Sequence, residues 1–254
     1  MRVGPGQERM AHLRGMLEPL LAARGRFARK VSVAGPIDAA LPDGGLPLGC
    51  IHQVKGMTLA SGITFSSILA SRISVNQGRI VYVSPDQTLH PLGLLPFGIA
   101  VDRVVHVVAK RPADVAWATL EALRCHQVAA VLALVQSADL TLCRRFQLAA
   151  ESSGATGFLL TDASARATTP IASVITRWQV SAIPAPKTSP FYEPCWEIDL
   201  AYCRGGRPAS WQMAWRQHQL ELLAPTVTVQ PDGYPLRMAE SAMRVNRHPH
   251  SLAG

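Results

Sequence analysis

The sequence predicts an α/β fold in which a mainly parallel sheet lies between layers of helices and ends in antiparallel edge strands. Three observations predict it. Strand and helix patterns alternate over 51–161, the run 128–135 is continuously apolar, and strands of hairpin type follow residue 168. Alternating strands and helices form parallel sheets through right-handed crossovers, and a continuously apolar strand is typical of one buried on both faces.

The elements follow from local patterns. Pro112 near a helix start, with Trp117, Leu120 and Leu123 on one face, indicates a helix. The full order is a connection at 35–49, strand 51–54, small-residue loop 56–62, helix 64–76, strands 79–84 and 103–108, helix 112–127, strand 128–135, helix 138–152, strand 156–161, and strands 171–180, 196–202 and 210–216.

Single residues support several of these boundaries. Asp139 suits a helix start, and Gly154 suits the position just after a helix end. Gly205 and Gly206 form a hairpin turn signal between the last two strands. In the last strand Trp211, Met213 and Trp215 share one face, which we expect to be core.

The chain divides into three sections. A basic amphipathic helix and linker occupy 1–36, the core with its antiparallel edge occupies 37–216, and a partly disordered tail occupies 217–254. The helix is predicted over 7–24, where it either docks on a partner or packs on its own domain. Its candidate contact residues are Met10, Leu13, Arg14 and Leu17.

Composition and charge narrow the classes of function. The chain has 254 residues, 48% of them hydrophobic, which is typical of a folded globular protein. Its longest apolar run, 128–135, is too short to cross a bilayer, so we expect a cytoplasmic protein without a membrane partner. The net charge is +8, with seven basic and two acidic residues in 1–36. That excess favours nucleic acid or an acidic protein as partner, or serves only as a solubilising tail.

Cysteines and histidines give no sign of a metal site. The five cysteines include no pair at the short spacing of zinc ligands, and the eight histidines are scattered. Cys125 and Cys143 lie in apolar helical patterns, where a free thiol acts as a small hydrophobe. We therefore expect reduced cysteines and no metal.

The segment after the first predicted core strand has the layout of a phosphate-binding loop that has lost its key residues. Such a loop cradles phosphates with backbone N–H groups, a lysine and a Ser/Thr hydroxyl. Here five residues rather than four separate Gly56 and Gly62, Ile63 occupies the lysine position, and only Thr64 keeps the expected type. The strand ending at Val135 has no carboxylate at its tip to hold a metal ion. We therefore expect no ATP hydrolysis and no cofactor, with ATP and Mg²⁺ bound weakly or not at all.

These residues resemble the RecA family over about 37–180. The run 44–49 and Gly56 are similar to the entry into the RecA ATPase core, and 83–91 is similar to the segment after its second strand. The resemblance places Asp86 where RecA proteins keep the glutamate that polarises the attacking water, although a turn or cap role also explains it. The residues at the degenerate nucleotide-loop positions are therefore Gly56, Ser61, Gly62, Thr64 and Asp86.

A closer resemblance is to the ImuA family, degenerate RecA-like proteins also described as SulA-like. It rests on 41–49, 144–151 leading into 157–160, and 203–211. The resemblance implies a non-catalytic accessory of SOS-induced, error-prone translesion synthesis. Its partners would be an ImuB-type polymerase-like protein, RecA and an error-prone DNA polymerase, with DNA touched directly or through them in the nucleoid.

Two departures from RecA bear on DNA binding. The connection between the strands at 128 and 156 is too short for RecA's first DNA-binding loop, and the counterpart of the second, 162–170, carries only Arg166. We therefore expect no DNA-coating filament. The remaining candidate contacts to DNA or a partner are arginines that flank the glycine turn or lie on the last core helix: Arg204, Arg207, Arg144 and Arg145.

Two alternatives stay open. A SulA-type division inhibitor shares the degenerate RecA-like core and would bind the tubulin-like division protein. A weak, DNA-stimulated ATPase would depend on Thr64. The basic residues of 1–36 and the turn around Gly205 extend beyond a minimal inhibitor and favour the mutagenesis role.

Overall fold

The structure is a computed structural model that describes residues 29–74, 78–87, 89–135, 138–162, 174–186 and 193–223. The helix predicted over 7–24, with Met10, Leu13, Arg14 and Leu17, lies outside the described residues, as do Arg166 and the tail beyond residue 223.

Eleven strands and four helices make up the described part. The strands are β1 (Lys30–Val31), β2 (Leu46–Pro47), β3 (Ile51–Gly56), β4 (Arg79–Ser84), β5 (Val104–Val108), β6 (Val128–Leu134), β7 (Thr156–Asp162), β8 (Thr176–Ala182), β9 (Cys195–Cys203), β10 (Ala209–Arg216) and β11 (Gln219–Leu222). The helices are α1 (Gly35–Asp38), α2 (Leu59–Ser74), α3 (Pro112–Arg124) and α4 (Leu140–Ser153), with 3₁₀ turns at Pro42–Gly44, Pro91–Phe97 and Val101–Arg103.

Nine of these strands form one sheet, in the order β11-β10-β9-β8-β3-β7-β6-β4-β5. All neighbouring pairs from β8 to β5 are parallel, and β9, β10 and β11 extend the sheet in antiparallel fashion. The predicted antiparallel edge is confirmed in β9, β10 and β11, while β8 still lies parallel to β3, so that the direction reverses at β9.

Helices cover the two faces of the parallel strands. On one face Phe65 and Leu69 of α2 pack with Phe158 and Trp178. On the other face α3 and α4 bury side chains such as Phe146 against β6 and β7. This is the predicted layered architecture, in which parallel strands that are buried on both faces form a sizeable hydrophobic core.

The antiparallel extension shares the first of these cores. The hydrophobic cluster that contains α2 also includes Trp196 and Ile198 of β9. From β10 it includes Trp211, Met213 and Trp215, which were predicted to share one buried face. The sheet continues through β11 beyond residue 216, where the weakening pattern led us to end the core. Helix α1 and strand β2 lie in the connection predicted over 35–49, and β1, which pairs with β2, lies in the linker before it.

Two predictions about α3 are wrong. Trp117 was placed on the buried face with Leu120 and Leu123, but it is 66% exposed. The helix ends at Arg124 rather than at residue 127, so Cys125 is exposed and not a core residue. The buried stripe instead follows Val115, Thr119 and Leu123, which are spaced by one turn of helix.

Helix α4 and the cysteines otherwise follow prediction. The Asp139 carboxylate caps α4 by accepting from the Leu142 N–H at 2.7 Å, and Gly154 ends it with φ +82. Cys143 is buried, and burial raises the pKa of its thiol to about 11. None of the described helices is long and apolar enough to cross a membrane.

Candidate functional site

The turn from β3 into α2 occupies the position of the predicted phosphate loop, and it is shorter than predicted. Only Met57 and Thr58 separate the strand from the helix, which begins at Leu59 rather than at residue 64. Ser61, Gly62 and Thr64 therefore lie in the first two turns of α2 instead of in a loop. The five residues between the two glycines had indicated a longer loop, but three of them are helical.

A reciprocal cap explains the early helix start. The Thr58 hydroxyl accepts from the Ser61 N–H at 3.2 Å, while the Ser61 hydroxyl oxygen accepts from the Thr58 N–H at 3.3 Å. This exchange satisfies backbone donors that a helix N-terminus otherwise leaves open. The Ser61 hydroxyl also lies within donating distance of the Val180 carbonyl, at 3.0 Å, and the Met57 N–H donates to the same carbonyl at 2.8 Å.

The turn leaves no room for a side chain at Gly56. A Cβ at Gly56 would lie 2.2 Å from the Thr58 carbonyl oxygen and 2.6 Å from the Gly62 nitrogen. The chain can therefore approach itself this closely only with glycine at this position. A phosphate loop presents its backbone N–H groups to the ligand, whereas here those of Met57, Thr58 and Ser61 donate to the protein's own hydroxyls and to a carbonyl.

The other nucleotide-loop positions lie around this turn in less specific settings. Ile63, at the lysine position, is half-buried and packs against the core cluster of α2, and Thr64 is half-buried. Asp86 lies in the exposed bend after β4, where its backbone carbonyl accepts from the Ser84 hydroxyl at 2.5 Å. The His106 Nε2 lies 2.8 Å from the same hydroxyl oxygen.

A buried polar network that the sequence analysis missed lies near the start of β3. The imidazole of His52 is fully buried, with Nδ1 2.7 Å from the Thr176 hydroxyl oxygen and Nε2 3.0 Å from the Pro47 carbonyl oxygen. The carbonyl can only accept, so Nε2 carries the proton and Nδ1 accepts from the hydroxyl. The Trp178 indole N–H donates to that hydroxyl at 2.7 Å.

Burial determines the charge state of this imidazole. It lowers the pKa of His52 to about 4, and the hydrogen bond to Pro47 opposes the shift. His52 therefore stays neutral at ordinary pH and stacks on Phe158, with ring centroids 5.3 Å apart. No local pattern signalled the network, since Thr176 is 124 residues away along the chain.

The glycine turn between β9 and β10 lies where the parallel strands begin, which we call the amino end of the sheet. The Arg204 N–H donates to Ile175, just before β8, and the Arg207 N–H donates to Ala40, both at 2.9 Å. A Cβ at Gly206 would lie 2.5 Å from the Ala40 carbonyl oxygen. The predicted hairpin turn is confirmed, and both of its arginine side chains are exposed.

Arg144 and Arg145 are placed elsewhere. Both are exposed on α4, and the neighbouring positions Leu140 and Leu148 on that helix are also exposed. The structure therefore does not join the arginine candidates into one site. Within the described residues there is no group of three or more His, Cys, Asp or Glu placed to hold a metal ion.

The fold and the β3–α2 turn define a RecA-like α/β protein with a short, capped turn at the phosphate-loop position. Among solved structures, the chain is similar to the crystal structure of the RadB recombinase, with a TM-score of 0.53 and 12% identity. That match covers 71% of this chain and 94% of the RadB chain. At this identity it supports the RecA-like fold.

Curated relatives identify the family. The chain is 32% identical over 194 residues to Protein ImuA of Caulobacter vibrioides, in strains NA1000 / CB15N and ATCC 19089 / CIP 103742 / CB 15. The match covers 69% of this chain and 78% of each relative. The chain therefore belongs to the ImuA family. No protein-family model matches the sequence.

Proposed function

We propose that this chain is a non-catalytic accessory protein of SOS-induced, error-prone translesion DNA synthesis. It would act in the cytoplasm, at the nucleoid, through contacts with an ImuB-type polymerase-like protein, RecA and an error-prone DNA polymerase. Membership of the ImuA family supports the mutagenesis role. The named partners follow from what the family resemblance implies.

The closed turn between β3 and α2 is the observation that supports a non-catalytic role. A triphosphate needs backbone donors, a lysine and a metal ion arranged around it. Here the N–H groups of Met57, Thr58 and Ser61 already donate within the chain. Ile63 brings no charge, and the strand end at Val135 brings no carboxylate.

One variant tests whether nucleotide binding is prevented by the missing lysine or by the shortened loop. We expect Mg-ATP to leave the melting temperature unchanged both in the native chain and in Ile63→Lys, because a new lysine does not lengthen the two-residue turn. A ligand that binds only the folded state would raise the melting temperature. Stabilisation of Ile63→Lys alone would show that the turn can still bind a nucleotide, and ATP hydrolysis by the native chain that disappears in Thr64→Ala would overturn the non-catalytic proposal.

Affinity capture of the tagged chain from DNA-damaged source cells tests which proteins bind to it. We expect ImuB in the eluate, together with RecA or the error-prone polymerase, identified by mass spectrometry against capture from undamaged cells. Recovery of the tubulin-like division protein alone, with filamentation on overproduction, would instead establish the division-inhibitor alternative. Failure to recover any of these partners would contradict the adaptor role.

A further inference from the structure

Two chain segments bring cations to the amino end of the sheet. Lys30 lies opposite Pro47 in the β1–β2 pair, and its ammonium group donates to the Asp43 carbonyl. Arg207 is held against the same stretch of chain through its N–H bond to Ala40. The β9–β10 turn therefore packs beside the segment that enters β3, although about 160 residues separate them in sequence.

Two further arginines flank the start of β3. Burial raises the pKa of the Cys50 thiol, and the nearby charge of Arg204 acts in the opposite direction. Arg29 lies on the other side, where its Nη1 is 3.1 Å from the point that a Cβ on Gly154 would occupy. We call Arg29, Lys30, Arg204 and Arg207 together the basic rim.

The cations of the basic rim are exposed and have no carboxylate partner among the described residues. Arg111, Arg124 and Arg216, by contrast, all form ion pairs. Two nearby acids are already engaged in hydrogen bonds. The Asp38 carboxylate accepts from the Ser32 hydroxyl at 2.6 Å and from the Val33 N–H at 2.9 Å. The Glu151 carboxylate, whose charge also acts on Cys50, accepts from the Gln147 amide at 2.8 Å.

The backbone holds the two turn arginines in fixed positions. Gly205 has φ +78, which favours glycine, and Gly206 has no room for a side chain against Ala40. A rigid turn loses little conformational freedom on binding, and guanidinium groups can give two parallel hydrogen bonds to a phosphate. Arginines fixed in this way therefore suit contacts to a sugar-phosphate backbone.

From these observations we infer that the basic rim binds the phosphate backbone of nucleic acid. The charge extends along the chain beyond it, because residues 1–28, which join the rim at Arg29, hold five arginines and two glutamates. This surface lies at the amino ends of the parallel strands, whereas the β3–α2 turn lies at their carboxyl ends. The inference does not depend on the partner proteins proposed above.

The test measures binding of the full chain to a fluorescein-labelled DNA duplex of mixed sequence. Fluorescence anisotropy over a salt series measures affinity and the number of phosphate contacts together. In Arg204→Ala/Arg207→Ala we expect about tenfold weaker binding at low salt and a slope of log K against log salt that is smaller by about two. Arg204→Lys/Arg207→Lys should keep most of the affinity, since lysine also binds phosphate.

Arg144→Ala/Arg145→Ala is the comparison variant, because it also removes two exposed arginines that the sequence offered as contacts, but from α4, which the structure does not join to the basic rim. We expect its affinity and salt slope to equal those of the native chain. The inference is overturned if the native chain does not bind the duplex, if the Arg204/Arg207 variant binds as tightly as the native chain, or if the α4 variant is weakened equally. None of these results would bear on capture of ImuB.

Discussion

At the carboxyl end of β3, the N–H groups of Met57, Thr58 and Ser61 all donate within the chain. At its amino end, Arg204 and Arg207 project into solvent from a turn whose backbone is fixed. The first end uses its polar groups to hold the fold together, while the second leaves its charged groups available. In this chain the end that resembles a ligand site by sequence therefore uses three of its backbone donors internally, whereas the other end leaves two arginine side chains exposed.

This difference separates residues that stabilise the fold from residues that can bind a partner. A buried, satisfied donor contributes to stability and is costly to disturb. An exposed cation without an ion-pair partner contributes little to stability and remains free to meet an anion. Substitutions at the two ends of β3 should therefore differ in their effect on unfolding.

The largest effect is expected at Gly56. In Gly56→Ala the new methyl group would meet the Thr58 carbonyl and the Gly62 nitrogen, neither of which can move without breaking the helix start. We expect a loss of about 3 kcal/mol or more in the free energy of unfolding, measured in urea. Gly35→Ala is the control, since a Cβ there meets nothing within 4 Å. Similar stability of both variants would show that the turn is open.

The next effect concerns pH and His52. Its pKa in the folded chain is about 4, whereas the ordinary value for histidine is 6.5, so the unfolded chain binds more protons between these two pH values. Stability is therefore full above pH 6.5 and falls as the pH is lowered through this window. We expect a loss of about 2 kcal/mol between pH 7 and pH 5 from this group.

Urea unfolding over this pH range measures the loss due to His52. His52→Gln should flatten the pH dependence, even if it is less stable throughout. An NMR titration of the imidazole provides a second readout that needs no variant. A folded-state pKa near the ordinary value of 6.5 would contradict the buried network with Thr176 and Trp178.

A smaller effect is expected at the cap of α2. Thr58→Ala removes the hydroxyl that accepts from the Ser61 N–H, and we expect a loss of about 1 kcal/mol in urea unfolding. Thr58→Ser keeps the acceptor and should retain most of the stability. If the serine variant loses as much as the alanine variant, the hydroxyl is not the cap.

Local chemistry explains what the sequence could predict. The bounds of β4, the Asp139 cap and the Gly154 helix end each depend on neighbouring residues, and the structure confirms all three. The prediction for the β3–α2 turn was wrong because its two glycines were matched to those of a phosphate loop. Thr58 followed three residues later by Ser61 is the spacing of a reciprocal cap, and that signal could have placed the helix start.

The remaining errors come from packing that no local pattern records. Trp117, Leu120 and Leu123 were assigned to one face of the helix. Residues six positions apart on a helix point about 120° away from each other, so Trp117 lies away from the face that buries Leu123. His52 and Thr176 meet only because β8 lies beside β3 in the sheet. The strand order, and with it the basic rim, depends on such long-range pairing.

The smallest effect on stability is expected at the amino end. Arg204→Ala/Arg207→Ala should change the free energy of unfolding by no more than about 0.5 kcal/mol, because both side chains are exposed and neither is in an ion pair within the described residues. Gly206→Ala, at the same turn, should lose more, since its methyl group would meet the Ala40 carbonyl. A loss above about 1 kcal/mol in the arginine variant would mean that these side chains support the fold. A small loss, together with weaker DNA binding, would separate the role of the side chains from that of the turn backbone.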